Sequence, residues 1–455
     1  MQEDTIIAIS TPLGYGGLGV IRLSGSNALD IAKKIFRLKR KKHTFPPRYA
    51  LFGNLYNSNK KEIFEEAYLI FFPAPRTYTR EDVIEISCHG SPVVLEEVVR
   101  LGIKAGARHA EPGEFTLRAF LNGRIDILQA EAVHDIIYAT SKKQAKISFH
   151  QLEGGLSKKL RATREHIIVM LSQIEARIEF PEENLKISSK LILKSLDRAI
   201  RTVHTLVESY DVGKTLTEGL TVALAGRTNV GKSTLFNTLL ERERSIVTPF
   251  PGTTRDYLQE KIQIKDSVFT LTDIAGLEKT TQPAEKEGIK KGKQLALEAD
   301  GILLILDVSK KVMDEDIRLI KTFEEKKIIL LFNKSDLHQK MDIALIKKDY
   351  PNLAALEISA LTGKNISQLK DLMKEKFVPS SEKSDEIILH LRQKLLLESI
   401  HSSLKQGKKL LKDGYSEDLY VEEIRKALPL IGELTGEIRN EDIIKEIFNR
   451  FCVGK

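Results

Sequence analysis

"GLTVALAGRTNVGKSTLFNTLL" (219–240) decides the fold. It opens as an apolar run of strand type, passes through a glycine turn and continues with helical spacing. Inside it, "GRTNVGKS" (226–233) is a complete G-x-x-x-x-G-K-S motif. A strand before it and a helix after it are the context this motif requires. Gly226 and Gly231 let backbone amides turn inward around phosphates, and the helix N-terminus adds partial positive charge. Lys232 can reach the β- and γ-phosphates, and Ser233 can ligate Mg2+.

Downstream, strand-like runs alternate with helical patterns: "FTLTDIAG" (269–276), "GILLILDV" (301–308), "KIILLFNK" (327–334) and "AALEISA" (354–360). That alternation predicts a doubly wound parallel sheet, a Ras-like P-loop domain. Further motifs fall at its strand ends. In "NKSD" (333–336), Asp336 can accept from the ring N–H and amino group of guanine. Adenine has neither donor, so a buried Asp336 would be left unpaired with it. Asn333 is expected to brace the loops, and the Lys334 stem to cover the base. "ISAL" (358–361) can offer backbone groups to the base, and "DIAG" (273–276) places Asp273 near Mg2+ and Gly276 near the γ-phosphate. "PGTTRD" (251–256) stands where a first switch belongs, and Thr254 is the candidate to complete Mg2+ coordination.

The candidate GTP contacts are Asn229, Val230, Gly231, Lys232, Ser233 and Thr234, with Pro251, Gly252, Thr253 and Thr254 in the switch. Asp273, Ile274, Ala275 and Gly276 follow, then Asn333, Lys334, Asp336, Ser359, Ala360 and Leu361. Two departures from small GTPases stand out. Leu277 follows DIAG where many GTPases carry a water-orienting glutamine. Asn229 lies within the P-loop, where its oxygen could bind a monovalent cation beside the phosphates or simply brace the loop.

The remainder is organised around this block. Residues 1 to about 120 mix short β-like runs ("TIIAIS", "GVIRLSG", "EAYLIFF", "DVIEIS") with one helical stretch, "SPVVLEEVVRLGIKAG". That reads as an α+β domain. From about 126 to 210 the spacing is helical, broken at Pro181, and from about 383 to 451 it is helical again. Helical segments on both sides favour an α/β domain inserted into one discontinuous helical domain, with beads on a string as the rival. The expected boundaries are 1–119, 120–215, 216–379 and 380–455.

At 455 residues, about three domains are expected. A hydrophobic share of 42% with 29% charged residues is ordinary for a globular protein, and the chain can bury a sizeable core. No apolar run reaches the roughly 18 residues of a membrane span. The start carries acidic residues where a signal peptide has basic ones, and two cysteines cannot make a disulfide framework, so the cytoplasm is the expected compartment. A net charge of +8 suits an anionic partner such as RNA. The absence of Trp and a 6% aromatic share argue against a stacking platform for single strands. "RLKRKKH" (37–43) reads as a solvated basic loop.

Taken with "TPLGYGGLGVIRLSG", "PGEFTLRAFLNGRIDILQAEAV" and the final "CVGK", these motifs resemble the MnmE (TrmE) family of tRNA-modifying GTPases over essentially the whole chain. The resemblance implies an N-terminal folate-binding domain that also makes the homodimer. It implies an FAD-dependent partner, MnmG, in a heterotetramer or larger assembly. The reaction it implies adds an aminomethyl-type group, such as carboxymethylaminomethyl, to C5 of the wobble uridine of certain tRNAs. The carbon would come from 5-formyl- or methylene-tetrahydrofolate. It extends the switch contacts with GTP to Thr248, Pro249 and Phe250, and implies K+-stimulated hydrolysis, with K+ held by Asn229, Thr253 and the carbonyls of Thr248 and Phe250. The water-orienting role falls on Glu285. Folate contacts fall on Arg22, Glu85, Arg124 and Lys455, with Cys452 a candidate catalytic thiol beside the transferred carbon. For Arg22, an ion pair in a partly buried sheet is the blander reading.

Departures are few. Position 124 is Arg where the family often has Lys, the switch carries Pro249 and Pro251, and "GYGG" replaces "GRGG". Cys88 reads as structural. The competing function is a ribosome-assembly or RNA-binding GTPase switch without modification chemistry.

Overall fold

The computed structural model describes residues 4–39, 44–56, 62–180, 188–241, 259–274, 292–379, 386–438 and 441–455. By contact density the chain forms two compact units. One comprises Met1–His134, Gln151–Ala199 and Ser402–Lys455; the other comprises Asp135–His150 and Ile200–His401.

The first unit holds a seven-stranded sheet. Its strands are β1 (Ile6–Ile9), β2 (Gly16–Ser24), β3 (Phe36–Leu38), β4 (Leu51–Tyr56), β5 (Ile63–Phe72), β6 (Val83–Gly90) and β7 (Arg108–His109). Their spatial order is β3-β4-β5-β6-β2-β1-β7, antiparallel except for β1 against β7. Alternation sorts the faces. Ile84, Ile86 and Cys88 of β6 join Ile21 and Leu23 of β2 in one core, covered by helices Ala28–Ile35 and Pro92–Lys104. Arg22 and Glu85 stand opposite one another across β2 and β6, between those buried positions. In the same unit, helix Gly155–Glu179 packs on helices Glu417–Arg425 and Ala427–Thr435, with Arg177 paired to Glu417 and Arg425 to Glu175.

The second unit holds a six-stranded sheet. It is built from β8 (Leu220–Ala225), β9 (Gln259–Ile264), β10 (Ser267–Asp273), β11 (Gly301–Asp307), β12 (Ile328–Asn333) and β13 (Ala354–Glu357). The order is β13-β12-β11-β8-β10-β9, parallel except for β9. Strand β11 shows why. Leu303 and Ile305 enter a core with helices Lys232–Glu241 and Ile366–Phe377. Ile302, Leu304 and Leu306 enter a second core with helices Asp314–Phe323 and Ile343–Asp349. A strand covered on both faces must be apolar throughout, which is what the runs at 301–306 and 328–332 display.

Three sequence expectations change. The N-terminal stretch was expected to hold one helix; Ala28–Ile35 and Glu114–Leu121 are helices too. Each spans only eight residues, too few to reveal a period among short strands. The stretch 128–152 is two helices, Ile127–Ile137 and Lys142–Leu152. The second starts at an N-cap: Gln144 N donates to Ser141 Oγ (3.1 Å), and Gln144 Oε1 reaches back to accept from Thr140 N (2.9 Å). Finally, 386–390 is not helical; the helix begins at Leu391 and runs to Lys412. Ile387, Ile388 and Leu389 are all buried, and one helix face cannot bury three consecutive side chains. Ile388 N donates instead to Ser209 Oγ (3.1 Å), and a Cβ on Gly213 would lie 1.9 Å from the Ile388 carbonyl oxygen. Of the basic run at 37–43, Arg37 and Leu38 belong to β3, and 40–43 lie outside the described residues.

Candidate functional site

The carboxyl ends of the parallel strands in the second unit converge on the P-loop. This edge is where open α/β sheets bind ligands. Gly226 has φ +146°, and a Cβ there would meet the Ile305 carbonyl oxygen at 2.5 Å. Gly231 has φ +101°, and a Cβ there would meet Asn333 Nδ2 at 2.3 Å. Both positions therefore require glycine. Lys232 is buried, and its ammonium donates to the carbonyls of Gly226 (3.0 Å) and Arg227 (2.8 Å). The Ser233 hydroxyl donates to Asp273 Oδ2 at 2.9 Å. Asp273 Oδ1 is buried with no hydrogen-bond partner among the described residues. A hydroxyl and a carboxylate with an unsatisfied oxygen form a donor set that fits a hard cation such as Mg2+. Thr234 is exposed on the helix start, while Val230 and Ile274 are buried beneath the loop.

Asn333 joins three elements. Its Nδ2 donates to the Val230 carbonyl (2.8 Å), and its Oδ1 accepts from Ala360 N (2.9 Å). Lys334 has φ +67° and Asn229 φ +59°, and the Lys334 ammonium donates to the Asn229 carbonyl at 2.8 Å. Ser359 and Ala360 are buried, whereas Leu361 is exposed. Asp336 is exposed, so burial does not by itself exclude adenine at this position. The backbone turns out of the strand at Lys334, and Leu337 N closes that turn on the Lys334 carbonyl (2.9 Å), so Asp336 lies beyond the strand end. Thr248, Pro249, Phe250, Pro251, Gly252, Thr253, Thr254, Ala275, Gly276 and Glu285 lie outside the described residues.

The first unit carries a separate cavity of about 410 Å³, lined by residues that include Arg22, Tyr78, Glu85 and Arg124. Arg22 Nε and Nη2 both donate to Glu85 Oε1, at 3.0 and 2.7 Å. The cross-strand register explains the pair. Arg22 and Arg124 place their guanidinium carbons 5.7 and 4.7 Å from the Tyr78 ring centre. Burial pushes the Tyr78 phenol above its usual pKa, against the hydrogen bond with Thr116 and the nearby Arg124 and Arg22.

The final residues return to this unit. Val453 pairs with Pro112, Gly113 N donates to the Cys452 carbonyl (3.3 Å) and Phe115 N to the Lys455 carbonyl (3.2 Å). Ser10 Oγ donates to the Gly454 carbonyl at 3.2 Å. Gly454 has φ +95°, and a Cβ there would lie 2.0 Å from the Ile9 carbonyl oxygen. The tail is thus seated by its backbone. Burial and then the Arg22 charge hold the Lys455 ammonium below its usual pKa, against Cys452 and Glu85. The structure therefore brings Arg22, Glu85 and Lys455 into one electrostatic neighbourhood, and Arg22, Glu85 and Arg124 around one cavity. Cys452 is exposed; Cys88 is buried in the sheet core, its thiol pushed up to about 12 by burial and by Glu65.

Comparison with known proteins agrees along the whole chain. Residues 5–124 match the family described as GTP-binding protein TrmE N-terminus, and residues 127–452 match the MnmE helical domain. The tRNA modification GTPase MnmE of Aquifex aeolicus (strain VF5) is 39% identical over 456 residues, covering 100% of both chains. The chain belongs to the MnmE family. The protein of the same name from Natranaerobius thermophilus is 38% identical over 458 residues, again covering 100% of both.

Sequence reasoning missed several residues of this MnmE-family chain. Asp307 ends β11 beside Lys334, with Nζ to Oδ2 at 2.6 Å. A charged residue closing a fully apolar strand was the signal. Arg227 Nη1 lies 3.3 Å from Asp316 Oδ2, joining a half-buried arginine to a buried aspartate at the start of helix Asp314–Phe323. Tyr78 lies in a loop whose sequence offers no periodic cue. In the MnmE-family N-terminal match it is the aromatic floor beneath both arginines.

Proposed function

We propose that the chain is a K+-stimulated GTP hydrolase that works with MnmG on tRNA. Together they add a carboxymethylaminomethyl or aminomethyl group to C5 of the wobble uridine, with the carbon drawn from a tetrahydrofolate. Full-length likeness to tRNA modification GTPases carries the reading. Residues 216–379 act as the inserted G domain, 1–119 as the folate-binding and dimerisation domain, and 120–215 with 380–455 as the helical domain.

At the P-loop, Lys232 neutralises charge on the β- and γ-phosphates, and backbone amides around Gly231 orient them. Ser233 and Thr254 would hold Mg2+, with Asp273 beside it, and the ion would supply charge neutralisation for transfer of the γ-phosphoryl group to water with GDP as the leaving group. Asn229, Thr253 and the carbonyls of Thr248 and Phe250 would hold K+, which would supply a positive charge where other GTPases use an arginine. Glu285 orients the attacking water in place of glutamine. Asp336 reads guanine, Asn333 ties the base loop to the P-loop, and the groups around Ser359, Ala360 and Leu361 face the base.

In the N-terminal pocket, Glu85 accepts from the pterin edge, and Arg22, Arg124 and Lys455 take the glutamate carboxylates. The cavity size, its aromatic floor and this pairing of one carboxylate with several cations support a folate. Cys452 stands by the transferred carbon as nucleophile or acid/base group. The homodimer reading is supported by exposed apolar side chains in "TPLGYGGLG": Leu13, Tyr15 and Leu18 are 78%, 93% and 62% exposed. Among the described residues no helix is long and apolar enough to cross a membrane. The cytoplasm is the proposed compartment.

The deciding experiment is nucleoside analysis of tRNA after reconstitution with MnmG, tetrahydrofolate and GTP. Modified wobble uridine is expected. Unmodified tRNA, with disturbed ribosome profiles in a deletion strain, would support an RNA-binding switch instead. GTPase rates in matched K+ and Na+ buffers test the cation; equal rates would remove it. Glu285→Ala is expected to slow hydrolysis and leave GTP affinity near wild type.

A further inference from the structure

Asp307 is 5% exposed and sits at the end of β11, in register with Asn333 on the neighbouring β12. Both its carboxylate oxygens are engaged. Oδ1 accepts from Ser309 N (3.0 Å) and Ser309 Oγ (2.6 Å), and Oδ2 accepts from Lys334 Nζ (2.6 Å). The Ser309 contacts stop the carboxylate from turning. The same Lys334 ammonium donates to the Asn229 carbonyl in the P-loop at 2.8 Å. It thereby ties together two non-glycine residues with left-handed backbone, Lys334 at φ +67° and Asn229 at φ +59°. Such conformations persist where surrounding bonds over-determine them. Without an anion beneath it, the ammonium has no reason to stay on a neutral carbonyl rather than swing to water.

We propose that Asp307 is a positioning residue for guanine nucleotides: it holds the Lys334 ammonium on the Asn229 carbonyl and so locks the base-reading loop to the P-loop. This rests on the GTP reading above. Lys334 then keeps its stem flat across the base, and Asn229, a proposed K+ ligand, is fixed in the same stroke. Base recognition and the cation position share one carboxylate. Burial raises the Asp307 carboxyl pKa, but the Lys334 and Ser309 hydrogen bonds outweigh it and leave the group ionised.

The test is equilibrium titration of methylanthraniloyl-GDP into the full-length protein as wild type, Asp307→Asn, Lys334→Met and the double variant. A charge-assisted bond lost from a buried site predicts weakening on the order of tenfold to a hundredfold for Asp307→Asn. Because Asp307 acts through Lys334, the double variant is expected to bind no worse than Lys334→Met alone. A merely structural aspartate would give losses that multiply. Wild-type affinity in Asp307→Asn, or multiplied losses in the double variant, overturns the proposal. Should Asp307→Asn fail to fold by circular dichroism, Ser309→Ala serves. It is expected to weaken binding less, and not at all in the Lys334→Met background; a loss that persists there is equally fatal. Failure of the wild type to bind the probe would instead defeat the GTP reading.

Discussion

At the nucleotide end of the second unit, residues 226–233 supply the turn, the lysine and the serine within one short stretch. The pocket of the first unit gathers Arg22, Tyr78, Glu85 and Arg124 from separate segments, and the chain's last residue approaches Arg22. The P-loop is held from below by Asn333 and Lys334, so its backbone geometry is over-determined. The N-terminal pocket depends on one cross-strand register and on a tail seated through Gly454. A local motif concentrates its chemistry and its fold signal together. A dispersed site leaves its residues looking like ordinary sheet and tail positions.

The sharpest break in this comparison comes from Lys232→Ala. Loss of a preorganised cation is expected to cut GTP hydrolysis roughly a hundredfold to a thousandfold, with reduced-folate binding unchanged by calorimetry. Parallel loss at both sites would deny their independence.

Next is Gly454→Ala. A Cβ 2.0 Å from the Ile9 carbonyl oxygen at φ +95° must unseat the tail. Strain on the order of 1–3 kcal/mol predicts about tenfold to a hundredfold weaker tetrahydrofolate binding, with GDP affinity untouched. Wild-type folate affinity would show that the tail takes no part in the pocket.

A third test uses pH. Asp4 bonds to Arg108 (2.6 Å) and Arg118 (2.7 Å), and Glu114 bonds to the same two arginines at 2.6 and 2.9 Å. Burial raises both carboxyl pKa values, yet the arginine bonds leave each net below its usual value. Folded values below unfolded ones give stability that is present above the unfolded range near pH 4 and lost as pH falls through the folded values. Melting followed by circular dichroism should fall between about pH 5 and pH 3. Asp4→Asn with Glu114→Gln is expected to lower the melting temperature at pH 7 and flatten that fall. An unchanged slope would remove the network from acid stability.

The smallest effect concerns the thiols. Cys452 is exposed and should react with a thiol reagent in the folded protein. Cys88, buried and pushed up to about 12, should react only after unfolding. Rapid labelling of both in native protein would contradict the core placement of Cys88.

Legibility followed the range of the interactions. The runs 301–306 and 328–332 declared buried strands because both faces need apolar side chains. Helix Ala28–Ile35 is too short to show its period, and 386–390 carries a helix-like pattern although its three consecutive buried side chains rule a helix out. Tyr78 and Asp307 were missed because their roles come from neighbours distant in sequence, Arg124 for one and Lys334 for the other.

By itself the sequence determined the P-loop, the parallel sheet around it and the family, because phosphate binding demands fixed residue types at fixed spacing. Only the tertiary structure decided that Arg22 faces Glu85, that Asp336 lies at the surface and that the Lys334 ammonium bridges Asp307 and the Asn229 carbonyl. Those outcomes depend on strand register and on where the chain turns, which packing over the whole domain selects and no short stretch can encode.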